Sequence, residues 1–216
     1  MRPQGRTLAI VAASVALLLA GFSLAGCTST ASAPNEAAEQ KEAPDLQGEL
    51  QGNIQNVKNN TNTLASAIHR LINEERRKNG FEPLQWDQTL ANIALSHSKD
   101  MAERDYFDHI NPEGEDFADR YAKHSYNLET HIGDRVYVGG ENLFLNNVVK
   151  SYNYDPATNE VYEYQYNDLD ELAQSTVQGW MDSPGHRDNI LTPFTREGIG
   201  IYVTNEGKVY ITENFS

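Results

Sequence analysis

Few side chains in this 216-residue chain can carry proton, metal or covalent chemistry. There is one cysteine, Cys27, so neither an internal disulfide nor a thiol-rich metal site can form. The six histidines are His69, His97, His109, His124, His131 and His186; no two lie four residues apart, so no helix supplies a local His pair for a metal. His186 closes Ser183-Pro184-Gly185-His186, which reads as an N-cap followed by proline at the first helical position. The helix dipole there disfavours imidazolium and keeps the ring neutral, fit to ligate or to act as a base. His97 shares an apolar helical face with Leu90, Ala94 and Met101, the setting of a core histidine. Glu141 follows Gly139-Gly140 and can pin a tight loop by accepting backbone N–H bonds, face a site, or do both. Ser183 is expected to bond backbone N–H as a cap rather than to attack a substrate, and no Gly-x-Ser-x-Gly elbow occurs. Arg187 is expected to pair with an acid, and Asn142 and Asn189 to satisfy loop backbone. His69, His124 and His131 show no partner pattern.

These groups need a scaffold, and the periodicity supplies one. Leu64, Ile68, Leu71 and Ile72 form a helical stripe that stops at Asn79-Gly80. Asp87 can cap a second helix, Phe117 to Lys123 reads as a short one, and Asp168 can cap another whose Leu172, Ala173 and Trp180 face inward. Gly198 to Thr204 and Val209 to Phe215 read as a hairpin around Asn205-Glu206-Gly207-Lys208. Helices first and strands late indicate an α+β domain. A second hairpin is expected near 146–167, with Val148 to Tyr154 and Val161 to Tyr166 flanking Asp155 to Glu160. Its tyrosines 152, 154, 162, 164 and 166 alternate onto one face. That face either packs on the domain or forms a flap over a cavity.

The N-terminal part has a different character. Arg2 and Arg6 precede an uncharged apolar run from Leu8 to Leu24, the layout of an export signal over 1–26. The run ends Leu24-Ala25-Gly26-Cys27, which resembles the lipobox of prokaryotic lipoproteins and implies a diacylglycerol on Cys27; an ordinary secretory signal is the alternative. Residues 27–63 lack Phe, Trp and Tyr, and Gly48 and Gly52 interrupt the only apolar periodicity, so a flexible tether is expected there, with the folded domain over 64–216. The net charge of −14 argues against nucleic acid or anionic lipid as a partner, since both need clustered Lys and Arg.

Five motifs occur in one order: His97-Ser98-Lys99-Asp100-Met101, Tyr106-Phe107-Asp108-His109, Gly140-Glu141-Asn142-Leu143, Trp180 through Leu191, and Tyr210-Ile211-Thr212-Glu213-Asn214-Phe215. Together they resemble the CAP superfamily of cysteine-rich secretory proteins, antigen 5 and pathogenesis-related proteins, in its prokaryotic branch. The resemblance spans about Leu64 to Ser216. It implies a three-layer α-β-α sandwich with a central antiparallel sheet and a cleft lined by two His and two Glu. His109, Glu141 and His186 match three of the four. The place of the second glutamate, three residues after a helical tryptophan, is Ser183, with Asp182 beside it. Glu213 stands where the family usually has Gln.

The function this implies is an extracytoplasmic, lipid-anchored protein that binds an envelope or extracellular ligand, a lipid, glycan or peptide, in the His/Glu cleft. Asn142, Ser183, Arg187 and Glu213 would support that cleft. The alternative is a zinc-assisted hydrolase, because two imidazoles and a carboxylate are the ligand set of an open zinc site with water in the fourth place. No residue of the chain reads as a nucleophile, and binding is the expectation over catalysis.

Overall fold

The structure, a computed structural model, describes residues 45–216. The export signal and Cys27 lie outside the described residues, as does the tether up to residue 44.

The tether expectation fails over the rest of its span. Asp45 accepts from Gly48 N at 2.9 Å and caps α1 (Leu46–Asn59), which runs almost into α2 (Thr61–Lys78). Ile54 and Val57 are buried, with Ile54 against Val148 and the turn at Gly207, and Lys58 Nζ donates to Asn205 Oδ1 at 2.6 Å. Each helical glycine costs about 1 kcal/mol, whereas burying Ile54 and Val57 returns about 1.5–3 kcal/mol apiece. Tertiary packing therefore overrides the weak local propensity.

Along the chain follow β1 (Gln85–Trp86), α3 (Gln88–Glu103), α4 (Phe117–Lys123), β2 (Glu129–Ile132), β3 (Arg135–Val138) and β4 (Gly140–Asn147). Then come β5 (Val149–Tyr154), β6 (Val161–Tyr166), α5 (Leu169–Asp182), α6 (Pro184–Ile190), β7 (Arg196–Val203) and β8 (Lys208–Phe215). The central sheet has the order β1-β7-β8-β4. It is antiparallel apart from the two-residue β1, which runs parallel to β7. α3 packs on one face; α2 and α5 pack on the other. The α+β, α-β-α expectation is borne out.

Two features fix the layers. Gly198 and Gly200 let α3 lie directly on β7: a Cβ at Gly198 would sit 2.1 Å from Ala91 N, and one at Gly200 1.9 Å from Leu95 N. At that contact Ser98 Oγ, fully buried, bonds Gly200 O at 2.9 Å and Thr212 Oγ1 at 2.8 Å. Across the sheet, Trp180 is fully buried and donates from Nε1 to Leu143 O at 2.9 Å, clamping α5 to β4. The expected caps are present: Asp87 accepts from Thr89 N and Leu90 N, and Asp168 forms a capping box with Glu171.

Because α1 contributes to the core, Ile54→Ala should cost about 2–4 kcal/mol of unfolding free energy in urea titration. A spacer at this position would leave the midpoint unchanged.

Candidate functional site

β4 is an edge strand of the central sheet, and its first residues carry the site. Glu141 points to the α3 side with its side chain fully buried. A lone carboxylate there would be strongly disfavoured, and it is compensated from three directions. Arg120 of α4 donates from Nη2 to both oxygens, at 2.9 and 2.7 Å. His109 Nδ1 lies 2.9 Å from Oε1, and His97 Nε2 is 3.9 Å from the same oxygen. Asn214, with its amide nitrogen toward the carboxylate, donates to Oε2 at 3.3 Å and accepts from Ala94 N at 3.2 Å. Arg120 also donates to Glu115 O and His109 O, both at 3.1 Å, so the same guanidinium holds the loop that carries His109.

The three histidines differ in state and exposure. His97 is buried and bonds Asp108 O at 3.1 Å; burial lowers its pKa, partly offset by Glu141. The side chain of His109 is 47% exposed, and its Nδ1 must donate because the carboxylate only accepts. In the neutral ring this leaves Nε2 as an acceptor. His186 approaches from the opposite layer on α6. Its pKa is lowered by burial and then by proximity to His109, and its Nδ1 is buried without a hydrogen-bond partner among the described residues.

Asparagines tie the two sides together over β4. Asn142 Nδ2 donates to His186 O at 3.2 Å and to Glu213 Oε2 at 3.1 Å. Asn189 Nδ2 donates to Glu141 O at 3.2 Å and Asn142 Oδ1 at 2.9 Å. Behind α6, the buried Arg76 donates to the carbonyls of Ile190, Thr192 (2.7 Å) and Phe194 (3.0 Å) and fixes the chain leaving that helix.

A second buried acidic cluster lies on the α2/α5 side of the sheet. Glu197 of β7 and Glu213 of β8 are both fully buried and hydrogen-bonded to each other; among the described residues, Glu197 Oε2 and Glu213 Oε1 have no other partner. Two carboxyls in this arrangement share a proton. Burial raises both pKa values, that of Glu197 to about 7 and that of Glu213 well above the carboxylate range. His69 Nδ1 contacts Glu197 Oε1, and burial lowers the pKa of His69 against the pull of Glu213.

Several expectations are corrected. Among the described residues no group of three or more His, Cys, Asp or Glu side chains is placed to hold a metal ion, so the zinc assignment to His109, Glu141 and His186 is withdrawn. The physical reason is Arg120, whose fixed positive charge occupies both oxygens of Glu141. Glu141 pins no loop through backbone N–H groups; it sits in a strand. Ser183 is the N-cap of α6, but its side chain makes no cap bond. Arg187 finds no acid among the described residues and reaches only Met181 O, at 3.4 Å. Glu213 faces away from the cleft and touches it only through Asn142. The Tyr hairpin β5–β6 is no flap over the His/Glu cleft: it leaves β4 six residues, about 20 Å, beyond Glu141 and packs on α1. Arg120, Asn214, Arg76, Glu197 and His69 were not found from the sequence, because each acts through a partner distant along the chain.

A groove of about 340 Å³ borders the cluster at His97 and Arg120. Its remaining walls are mainly charged, including the paired Arg104 and Glu113 (2.7 Å) and Lys123 and Glu115 (2.5 Å). Phe107 and Ile110, flanking His109, are exposed at the surface.

Comparison with known proteins places the chain in a family. The model of the Cysteine-rich secretory protein family, CAP, matches residues 69–215. The uncharacterized protein YkwD of Bacillus subtilis is 29% identical over 176 residues, covering 77% of this chain and 56% of YkwD. The uncharacterized membrane protein YlbC of the same organism is 31% identical over 154 residues, covering 71% of this chain and 34% of YlbC. The chain thus spans about half and one third of these relatives. A solved extracellular protein containing an SCP domain, from Bacillus anthracis, aligns with a TM-score of 0.50 at 29% identity, over 71% of this chain and 40% of that one. An outer surface protein of Borrelia burgdorferi aligns with a TM-score of 0.50 at 17% identity, over 74% of this chain and 92% of its own, and shows likeness of fold.

The shared proton makes stability depend on pH. The folded pKa of Glu197 lies above the unfolded value near 4.3, so the contribution of the protonated pair is complete below that value and is lost as pH climbs through about 7. His69 acts oppositely: its folded pKa is lowered, so its contribution is present above the ordinary histidine value and lost on acidification. In Glu213→Gln the amide donates to Glu197 in place of the proton and still accepts from Asn142. The variant should show a flatter stability profile from about pH 5 to 8 and be about 1–2 kcal/mol more stable than the parent at pH 8. A profile that parallels the parent in urea titrations would contradict proton sharing.

Proposed function

The chain belongs to the cysteine-rich secretory protein (CAP) family, and on that premise we propose that it is an extracytoplasmic binding protein, tethered by lipid on Cys27, whose polar cleft at His109, Glu141 and His186 receives a hydroxyl- or amide-bearing ligand. Export is supported by the charge and hydropathy layout of residues 1–26 and by the extracellular description of the Bacillus anthracis relative. The lipid rests on Leu24-Ala25-Gly26-Cys27.

The observation that carries binding over catalysis is the occupancy of Glu141. A general base needs a free lone pair within reach of substrate, and the fully buried carboxylate of Glu141 has Oε1 engaged by Arg120 and His109 and Oε2 by Arg120 and Asn214. What remains to a ligand is one ring nitrogen on each histidine. His109 offers Nε2 as an acceptor, since its Nδ1 donates to Glu141. His186 has a buried, unpartnered Nδ1, which as a bare lone pair costs less than an orphaned N–H; this leaves Nε2–H as the ring's donor. A hydroxyl or an amide, each donor and acceptor at once, matches that pair. With the metal arrangement lacking among the described residues, the zinc-assisted hydrolase has no geometric support.

Two measurements test this. Imidazole NMR shifts of the protein, recorded against short uncharged peptides and monosaccharide derivatives, should move for His109 and His186. His109→Ala and His186→Ala should each weaken that binding about fivefold, the worth of one hydrogen bond, with thermal stability unchanged in His186→Ala and lowered in His109→Ala, where buried Glu141 loses a donor. Unmoved resonances, or cleavage of a probe that His186→Ala abolishes, would refute the binding reading. Separately, Cys27→Ser should release the protein from membranes into the medium; retention on the membrane would refute the anchor.

A further inference from the structure

The β5–β6 hairpin stands outside the central sheet as a separate two-stranded sheet, and its two faces differ. One face carries polar cross-strand pairs: Ser151 Oγ donates to Gln165 Oε1 at 2.9 Å, and Asn153 Nδ2 to Glu163 Oε2 at 2.7 Å. The other carries a continuous line of rings. Tyr154 to Tyr152, Tyr152 to Tyr164 and Tyr164 to Tyr166 have centroid separations of 6.2, 6.4 and 6.1 Å. Tyr162 stays outside this line. Tyr166 anchors the inner end against the core, while Tyr152 and Tyr154 at the outer end are 57% and 50% exposed. Together Tyr152, Tyr154, Asn159, Val161 and Tyr164 line a hollow of about 480 Å³, within the rough 300–1,000 Å³ range of ligand pockets.

Exposed aromatic rings held in line by cross-strand pairing are costly to leave in water and contribute little to the core. Their chemistry selects the occupant. Each ring offers an apolar face with a phenolic hydroxyl at its tip, and Asn159, held at φ +59° in the turn, adds an amide at the rim. A pyranose has the matching form, with a C–H face and a hydroxyl edge. The surrounding charge narrows the class further. The hairpin contains Asp155, Glu160 and Glu163, burial and then nearby Glu49 of α1 raise the pKa of Tyr166, and the only base of the hairpin, Lys150, is taken by Glu171 at 2.6 Å. This field repels anionic polymers and accepts neutral or amino-bearing ones.

We propose that the Tyr152–Tyr154–Tyr164 face is a second binding site, separate from the His/Glu cleft, that docks a neutral or amino-bearing glycan strand. It does not depend on the cleft reading, since the hairpin roots at the far end of β4.

The test is calorimetric titration of the full chain with the β-1,4-linked hexamer of N-acetylglucosamine, its deacetylated form, and a hexamer of galacturonic acid. The first two should bind, the deacetylated one more tightly at low salt, and the acidic hexamer at least tenfold more weakly. The double variant Tyr152→Ala/Tyr154→Ala should weaken binding at least tenfold with an unchanged melting temperature, and by the same factor when combined with His186→Ala; Tyr154→Phe should retain most of it. The proposal is overturned if neither sugar hexamer binds, if the acidic hexamer binds equally well, or if the tyrosine variant binds as the parent does. It is also overturned if His186→Ala abolishes binding, which would place the sugar in the cleft, or if the tyrosine substitutions convert a dimer into a monomer in sedimentation, which would identify the occupant as a second copy of the chain.

Discussion

The site depends on the burial of one carboxylate. Glu141 lies in an edge strand with no exposed side-chain surface, and an ion there is tolerable only with a charge-assisted partner. Arg120 is that partner, and meeting its geometry constrains much else. α4 must sit with its first turn toward the sheet, and the loop from Arg104 to Asp116 must turn two carbonyls onto the guanidinium. α3 must lie close enough for His97 to approach the carboxylate and for Ala94 N to orient the amide of Asn214 on β8, an approach that Gly198 and Gly200 permit. His109 then stands over the carboxylate with its proton position fixed. An ion pair thus orders the groups around Glu141.

The opposite face of the same sheet solves a like problem by another means. Among the described residues Glu197 and Glu213 have no guanidinium in contact, and they remain buried by sharing a proton, with His69 at one end and Asn142 at the other. Asn142 and Asn189 join this cluster to the backbone of His186 and Glu141. The two acidic centres are therefore parts of one hydrogen-bonded assembly across β4. Their charge states differ because one is paired with a cation and the other with a proton.

The helices were legible where local signals agree. Asp87 and Asp168 cap, Leu64, Ile68 and Ile72 form a stripe, and Phe117 to Lys123 is helical over that same span. α1 was not legible, because Gly48 and Gly52 weaken the local signal and the burial of Ile54 against Gly207 depends on residues about 150 positions away. The ordered motifs made the family readable. The partners of the motif residues were not: Arg120 looks like any helical surface arginine until the fold sets it under Glu141. His69 showed no pattern because its partner, Glu197, is 128 residues distant. The tyrosine alternation held for Tyr152, Tyr154, Tyr164 and Tyr166 but not for Tyr162, where the strand register is irregular, and it said nothing of where the hairpin points relative to the cleft, a matter decided by which end of β4 it leaves.

The most direct test is a double-mutant cycle on Arg120 and Glu141, with stabilities from urea unfolding and imidazole NMR of His109 followed alongside. Arg120→Met and Glu141→Gln should each destabilise by about 3–5 kcal/mol, since each leaves a buried charge without its partner. The double variant should cost less than the sum by about 2 kcal/mol, and His109 should lose its fixed tautomer in every variant that lacks Glu141. Additive costs within about 0.5 kcal/mol, or a His109 resonance indifferent to Glu141→Gln, would show that the ion pair does not organise the cleft.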